Sequence, residues 1–207
     1  MKTTIYLIRH SKPMKNRINI TNSDNLQVWN EKNPLSVDGE IKAKELSISK
    51  EMEDIDIVIS STYVRAMSTA KYIAEQNNKD LYIIENFGER KHGVNSWDEL
   101  PEGFEERQKA EIDFKVGTGE SRREVSERMY NALFEVLEKN KGKRIAIISH
   151  STAIAFLLIK LGRYENETIY FKDKPIIDKN FKWTAPEVFK LEFDNSELIN
   201  IESIKEY

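Results

Sequence analysis

Residues 5–10 of the chain read Ile-Tyr-Leu-Ile-Arg-His, a short apolar run that ends on an arginine and a histidine. Residues 144–150 read Arg-Ile-Ala-Ile-Ile-Ser-His, so a second apolar run also ends directly before a histidine. Compact runs of this kind are typical of buried strands in a parallel sheet. Ligands of such sheets bind beyond the carboxyl ends of the strands. We therefore expect His10 and His150 to face one crevice if the two strands are neighbours.

Strands and helices alternate along most of the remaining chain. Residues 55–59 and 81–84 are further predicted strands, and residues 188–193 and 198–204 predict a hairpin around Asp-Asn-Ser-Glu. Apolar residues at helical spacing predict helices at 37–49, 63–76, 121–139 and 152–161. The predicted fold class is α/β, in three layers: a mostly parallel central sheet, helices on both faces and a C-terminal antiparallel edge hairpin.

Three long stretches fit no regular element, at about residues 11–34, 85–119 and 163–186. All three leave the carboxyl end of the predicted sheet, and long irregular segments in compact domains are often binding loops. We predict a single domain over residues 1–207 in which these loop insertions rim the active site. Ordinary surface excursions with small helices are the alternative.

Composition excludes several classes of function. Hydrophobic residues make up 39% and charged residues 32% of the chain, which is typical of a folded globular domain. Cysteine is absent, so disulfides and thiolate nucleophiles are excluded. The net charge of −3 does not favour nucleic acid as a partner. No apolar run approaches the roughly 20 residues of a spanning helix, and no secretory signal is recognisable, so we expect no membrane partner and a cytoplasmic location.

Two arginines are placed to share the crevice with the histidines. Arg9 directly precedes His10, and Arg65 lies near the start of the helix that follows the second predicted strand. A guanidinium group keeps its charge and binds phosphate through paired hydrogen bonds. Each of these residues alone could be a solvated or structural side chain, but together they indicate an oxyanion site.

Five short motifs then follow one another between residues 3 and 161. They are Leu7-Ile8-Arg9-His10-Ser11, with Asn16 six residues beyond the histidine; Asn33-Pro34-Leu35-Ser36-Val37-Asp38-Gly39; Ser60-Ser61-Thr62-Tyr63-Val64-Arg65-Ala66; Gly119-Glu120-Ser121; and Ile148-Ser149-His150-Ser151. In this order they resemble the motifs of the histidine phosphatase superfamily, which includes cofactor-dependent phosphoglycerate mutases. The sequence departs from the family at Ser11 and Ser151, where the family has glycine. The Ser151 hydroxyl could add a hydrogen bond at the anion site.

The resemblance implies a mechanism. His10 would attack phosphorus and form a phosphohistidine, while Arg9, Arg65 and His150 stabilise the charge on the phosphoryl oxygens. Asn16 would donate a further hydrogen bond. We expect no cofactor and no metal, because these histidines lie among cations.

The general acid has two candidates. Glu89 begins Glu-Arg-Lys-His-Gly, which resembles the acid-bearing segment of the family, and Glu85 precedes a Phe-Gly pair that resembles another version of that segment. We prefer Glu89, and the criterion is reach to the leaving oxygen. An exposed loop charge is the alternative for either residue.

The loop residues bear on the choice of substrate. Five arginines are candidates for a second anionic group, with Arg90 preferred: Arg17, Arg90, Arg107, Arg122 and Arg123. Five aromatic residues line either a leaving-group pocket or a satellite core: Trp29, Trp97, Trp183, Phe104 and Phe181.

The sequence thus predicts a metal-independent phosphatase that acts on a small phosphorylated metabolite. A mutase-type phosphotransferase is the first alternative, and a non-catalytic module that binds a phosphorylated ligand is the second. A homodimer is possible.

Overall fold

The computed structural model describes residues 1–15 and 25–205. The strands are β1 (Lys2–Arg9), β2 (Ile57–Ser60), β3 (Leu81–Ile83), β4 (Arg144–Ser149), β5 (Arg163–Glu165), β6 (Thr168–Phe171), β7 (Lys174–Ile177), β8 (Glu187–Asp194) and β9 (Glu197–Ile204). The helices are α1 (Leu26–Lys32), α2 (Val37–Ser47), α3 (Val64–Gln76), α4 (Phe104–Ala110), α5 (Arg122–Lys139) and α6 (Ser151–Leu161).

The central sheet has six strands in the spatial order β3-β2-β4-β1-β8-β9. Its first four strands pair in parallel, whereas β8 is antiparallel to β1 and β9 is antiparallel to β8. The predicted α/β class and the antiparallel edge hairpin are therefore confirmed. Strands β1 and β4 are direct neighbours, which was the condition for bringing the two histidines together.

Strand β1 shows why the sheet is covered on both faces. Ile5 and Leu7 belong to a core shared with α5 and α6, whereas Tyr6 and Ile8 belong to a second core shared with α2 and α3. Side chains alternate between the two faces of a strand, so a continuous apolar run needs helices on both sides. Each of these four side chains is completely buried, and burying an aliphatic side chain of this size contributes about 1.5–3 kcal/mol.

The prediction of irregular structure in the three long stretches is wrong in part. Residues 163–177 form a separate antiparallel sheet in the order β5-β6-β7. Two short helices also occupy these stretches, α1 and α4, each of seven residues. Within residues 1–15 and 25–205, no helix combines the length and apolar character needed to cross a membrane.

Candidate active site

The register between β1 and β4 positions the two histidines. Ile8 pairs with Ile148 and Arg9 with Ser149, so both strands end at the same level. The His10 amide donates to the Ser149 carbonyl at 3.0 Å, and the centroids of the His10 and His150 rings are 5.1 Å apart. The structure thus brings both imidazoles to one place at the carboxyl edge of the sheet.

Arg65 links the two imidazoles. Its Nε donates to Nε2 of His10 at 2.9 Å, and its Nη2 lies 3.2 Å from Nδ1 of His150. Its Nη1 donates to the carbonyl of Asn30 in α1, and its guanidinium carbon lies 4.9 Å from the centroid of the Tyr63 ring. Only 5% of Arg65 is exposed, and this burial lowers the pKa of its guanidinium. An arginine nevertheless keeps its charge in a protein, so a buried cation lies beside both rings.

His10 has the protonation state of a nucleophile. Its Nδ1 lies 2.6 Å from the Ser11 carbonyl, which can only accept, so we assign the ring proton to Nδ1. Nε2 then carries a lone pair. Burial, and secondly the Arg65 charge, hold the pKa of His10 well below its usual value of 6.5. The ring is therefore neutral at pH 7, and the Nε2 lone pair can attack an electrophile once Arg65 releases its hydrogen bond to it.

His150 is held in the opposite tautomer. Because Arg65 can only donate, Nδ1 of His150 accepts, and its Nε2 donates to the Ser61 hydroxyl at 2.8 Å. Burial, and secondly the Arg65 charge, hold the pKa of His150 well below its usual value. Sequence reasoning assigned no role to Ser61, although the residue lies within the Ser-Ser motif.

Arg9 is oriented by a turn that precedes β8. Its Nη1 donates to the Thr184 carbonyl at 2.9 Å. Within the described residues, its buried Nε has no hydrogen-bond partner. The carboxylate of Glu187, which is completely buried, accepts from the Thr184 amide at 2.9 Å and from its hydroxyl at 2.6 Å. Sequence reasoning missed Glu187, because a glutamate at a strand end carries no local signal of burial.

Glu89 lines the same cleft of about 250 Å³ as His10 and Arg65. Its Oε1 accepts from the Ala153 amide at 3.0 Å, and its Oε2 lies 3.4 Å from the Thr152 amide. These are amides of the first turn of α6, where a negative charge is favoured. Glu85, the other candidate acid, has a side chain that is 76% exposed and lies 3.6 Å from the Lys91 ammonium.

Arg128 of α5 fixes the segment that carries Glu89. It donates to the carbonyls of Asn86, Gly88 and Glu89 at 2.8–3.2 Å. Its guanidinium also pairs with the Glu120 carboxylate through two hydrogen bonds, of 2.6 and 2.9 Å. Glu120 belongs to the Gly-Glu-Ser motif. This motif therefore contributes to the cleft indirectly, because Glu120 orients Arg128 and Arg128 holds the segment that carries Glu89.

Arg90 contacts other protein side chains with both of its terminal nitrogens. It makes two hydrogen bonds to Glu105, of 2.9 and 2.8 Å, and one of 2.6 Å to Gln108. Its Nη2 also lies 2.8 Å from Nε2 of His92. Burial and the Arg90 charge lower the pKa of His92 to about 4. Arg90 lines the cleft, but its charge is already balanced by Glu105, and the predicted role in substrate binding stays a prediction.

The other candidate residues are more dispersed. Asn16 and Arg17 lie outside the described residues. Ser151 and Trp97 line the cleft, and Phe104 is buried beside the His92 ring. Two of the five arginines are paired on the surface, Arg107 with Glu111 and Arg123 with Asp113. In the described part of the chain, no group of three His, Cys, Asp or Glu side chains is arranged to hold a metal ion.

Comparison with known proteins relates this arrangement to enzymes of phosphate chemistry. A probable phosphoglycerate mutase of Escherichia fergusonii is 29% identical over 161 residues, which cover 74% of this chain and 72% of that protein. An uncharacterized phosphatase of Bacillus subtilis is 29% identical over 129 residues, covering 62% and 65%.

Two solved structures share the fold. A mycobacterial glucosyl-3-phosphoglycerate phosphatase superposes with a TM-score of 0.72 at 15% identity, covering 98% of this chain and 97% of that one. A phosphoserine phosphatase of Entamoeba histolytica gives a TM-score of 0.67 at 21% identity, with 98% of both chains covered. The sequence profile of the histidine phosphatase superfamily (branch 1) matches residues 5–173. The chain therefore belongs to the histidine phosphatase superfamily, whose members are phosphatases or mutases.

Proposed function

We propose that the protein is a phosphatase that hydrolyses small phosphate monoesters through a phosphohistidine on His10, without a metal ion. One observation carries the proposal: Nε2 of a neutral, buried His10 lies 2.9 Å from the guanidinium of Arg65. A nucleophile and a fixed cation at this distance are what in-line transfer of a dianionic phosphoryl group requires.

The first step would transfer the phosphoryl group to the protein. Arg65 would exchange its hydrogen bond to His10 for one to a phosphoryl oxygen, with Arg9 as a further donor. His150 would donate as well once its Nδ1 takes up a proton beside the dianionic group, because its Nε2 proton is held by Ser61. The Nε2 lone pair of His10 forms the P–N bond while the ester P–O bond breaks. The departing alkoxide takes a proton from Glu89, which must enter this step protonated although the α6 amides favour its anion. The position of Glu89 in the cleft favours it over the exposed Glu85.

The second step would release phosphate. A water molecule gives a proton to the Glu89 carboxylate and attacks phosphorus, and the P–N bond breaks as inorganic phosphate leaves. The positive charge in both steps comes from guanidinium groups, so no step is assigned to a metal ion.

A phosphoglycerate mutase-type phosphotransferase is the second candidate, because a relative bearing that name is 29% identical. Such an enzyme must also bind the carboxylate of its substrate. Three of the five candidate arginines, Arg90, Arg107 and Arg123, are already paired with carboxylates of the protein, which favours the phosphatase. Of the other two, Arg122 has a buried Nε without a partner among the described residues, and Arg17 lies outside those residues. Isotope exchange between 2- and 3-phosphoglycerate without phosphate release would instead support the mutase.

The test is phosphate release from 4-nitrophenyl phosphate and a panel of phosphorylated metabolites, with and without a chelator. We expect release that the chelator does not change and that falls at least about a thousandfold in His10→Ala. Lys71→Ala, which removes an exposed ammonium outside the cleft, serves as the control and should retain wild-type activity. Full activity in His10→Ala would refute the assignment, and phosphate binding without any phosphate release, unchanged in Glu89→Gln, would favour the non-catalytic module.

A further inference from the structure

An apolar groove lies between α4, α6 and the three-stranded sheet. It encloses about 620 Å³, a volume typical of sites for small organic ligands. Its apolar lining includes Ile159 of α6 and three partly buried aromatic side chains, Tyr164, Phe181 and Trp183. Charged side chains border it, and the carboxylates outnumber the ammonium groups: Glu106, Glu167, Asp178, Lys109 and Lys179.

Three features place the groove beside the catalytic cleft. Helix α6 presents Ser151 and Thr152 to the cleft and, one turn further, Ala155 to the groove. Helix α4 presents Glu105 to the cleft and its neighbour Glu106 to the groove. The third feature is a direct contact, because the Arg9 guanidinium lies 5.9 Å from the centroid of the Trp183 ring, which lines the groove.

The distance between the two sites sets the size of the occupant. One helical turn advances about 5.4 Å, so the groove begins about one turn along α6 from the residues that line the cleft. A leaving group of one or two carbons would end short of Ala155. A longer chain or a ring would pass it and reach Ile159.

The charged side chains around the groove disfavour a leaving group that is itself an anion. The border of the groove carries three carboxylates and two ammonium groups, and Arg90 at the cleft is already neutralised by Glu105. A carboxylate or second phosphate on the leaving group would therefore meet net negative charge at this border. Arg122, whose buried Nε has no hydrogen-bond partner among the described residues, interacts with Tyr164 but does not line the groove.

We infer that this groove binds the leaving group of the substrate, and that the preferred substrates are phosphate monoesters of an uncharged, apolar alcohol. The inference rests on the proposed phosphatase activity and specifies the substrate class of the same site. Burial of a methylene group contributes about 0.8 kcal/mol. The value of kcat/KM should then rise up to about fourfold for each methylene that reaches the groove.

The experiment measures kcat/KM for n-alkyl phosphates from ethyl to octyl by phosphate release, with an 8-carbon ester that ends in a carboxylate as the charged comparison. We expect octyl phosphate to exceed ethyl phosphate by at least about tenfold, and the terminal carboxylate to abolish the gain. Ala155→Phe, which fills the start of the groove, should lower the octyl-to-ethyl ratio about tenfold. Lys160→Phe adds the same ring to the same helix at an exposed position outside the groove and should keep the wild-type ratio.

The outcomes separate the two claims. Hydrolysis of all esters with no dependence on chain length would overturn the inference and leave the phosphatase intact. A chain-length gain that survives in a folded Ala155→Phe variant would also overturn it. No hydrolysis of any ester would overturn both claims. The wild-type series needs no variant, so it decides the question even if Ala155→Phe does not fold.

Discussion

The proposed phosphate pocket and the loop segments beside it, called the rim below, are built differently. In the pocket, formed by Arg9, His10, Arg65 and His150, each polar side chain ends a strand, directly follows one or begins a helix at the carboxyl edge of the sheet. In the rim, formed by segments 90–119 and 163–186, several charged side chains pair with one another, as Arg90 does with Glu105.

From this difference we expect the pocket to carry out the chemistry and the rim to determine which substrate is preferred. The hydrogen bonds of the pocket connect buried groups at the carboxyl edge of the central sheet, and removing one partner of a buried polar group is costly in free energy. The rim is held by short helices and surface ion pairs, each of which contributes little to stability. Changes in the pocket should therefore abolish activity, and changes in the rim should alter which ester is preferred.

The largest effect is expected for Arg65→Gln. This change removes the charge that lies between both histidines and would contact the phosphoryl oxygens, so kcat/KM for 4-nitrophenyl phosphate should fall about a thousandfold. Arg107→Gln removes an exposed arginine of the rim that is paired with Glu111 and should change kcat/KM less than about twofold. Similar losses in the two variants would mean that the pocket and the rim do not differ in the way described.

The next effect is expected for Glu89→Gln, with Glu85→Gln as the matched control. Loss of a general acid should lower kcat/KM for an alkyl phosphate about a hundredfold. The loss should be smaller for 4-nitrophenyl phosphate, because nitrophenolate leaves without a proton. If Glu85→Gln shows this dependence on the leaving group and Glu89→Gln does not, the assignment of the acid is wrong.

Much of the pocket was predictable from the sequence. The sequence predicted strand β4 with its observed bounds, 144–149, because a strand that is buried on both faces is visible as a continuous run of apolar residues. The convergence of the two histidines followed from the parallel order of the strands. The role of each nitrogen did not, because the tautomers depend on Arg65, Ser61 and the Ser11 carbonyl in three dimensions.

The rim was largely unpredictable for physical reasons. The hairpin turns of the small sheet have Asn166, Glu167 and Lys172 at positive φ, where glycine is the usual signal of a turn. Helix α4 has seven residues, too few to show a clear apolar period. The pairing of Arg90 with Glu105 and the burial of Glu187 depend on the path of the folded chain.

A smaller effect should appear in the pH dependence of stability. The pKa values of His10, His92 and His150 are all lowered in the fold, so the unfolded chain binds more protons below its histidine pKa of about 6.5. The free energy of unfolding should therefore fall as the pH drops from 6.5 to 5, by at most about 2 kcal/mol for each ring that stays neutral in the fold.

Urea denaturation at a series of pH values checks this expectation. His92→Gln removes the one histidine that lies in the rim and should reduce the slope with pH by about a third. Imidazole NMR signals that titrate near pH 6.5 would contradict the assignment of neutral, buried rings.

The smallest effect on activity is expected for Glu187→Gln. This carboxylate holds the Thr184 turn that orients Arg9, so it is a positioning residue. We expect kcat/KM to fall about tenfold, and inhibition by inorganic phosphate to weaken by a similar factor. Lys205→Gln removes one partner of Glu187 but leaves the Thr184 contacts, so it should have the smaller effect. Unchanged phosphate inhibition in Glu187→Gln would limit the residue to a structural role.

The most direct test of the account is to trap the phosphoenzyme. Glu89→Gln should still accept a phosphoryl group from 4-nitrophenyl phosphate, because that leaving group needs no acid, but should hydrolyse the intermediate slowly for lack of a base. Rapid quenching with labelled substrate should give nearly one acid-labile, base-stable label per chain, located at His10 and absent from the His10→Ala/Glu89→Gln double variant. Release of nitrophenol without any label, or a label on another residue, would contradict the central claim.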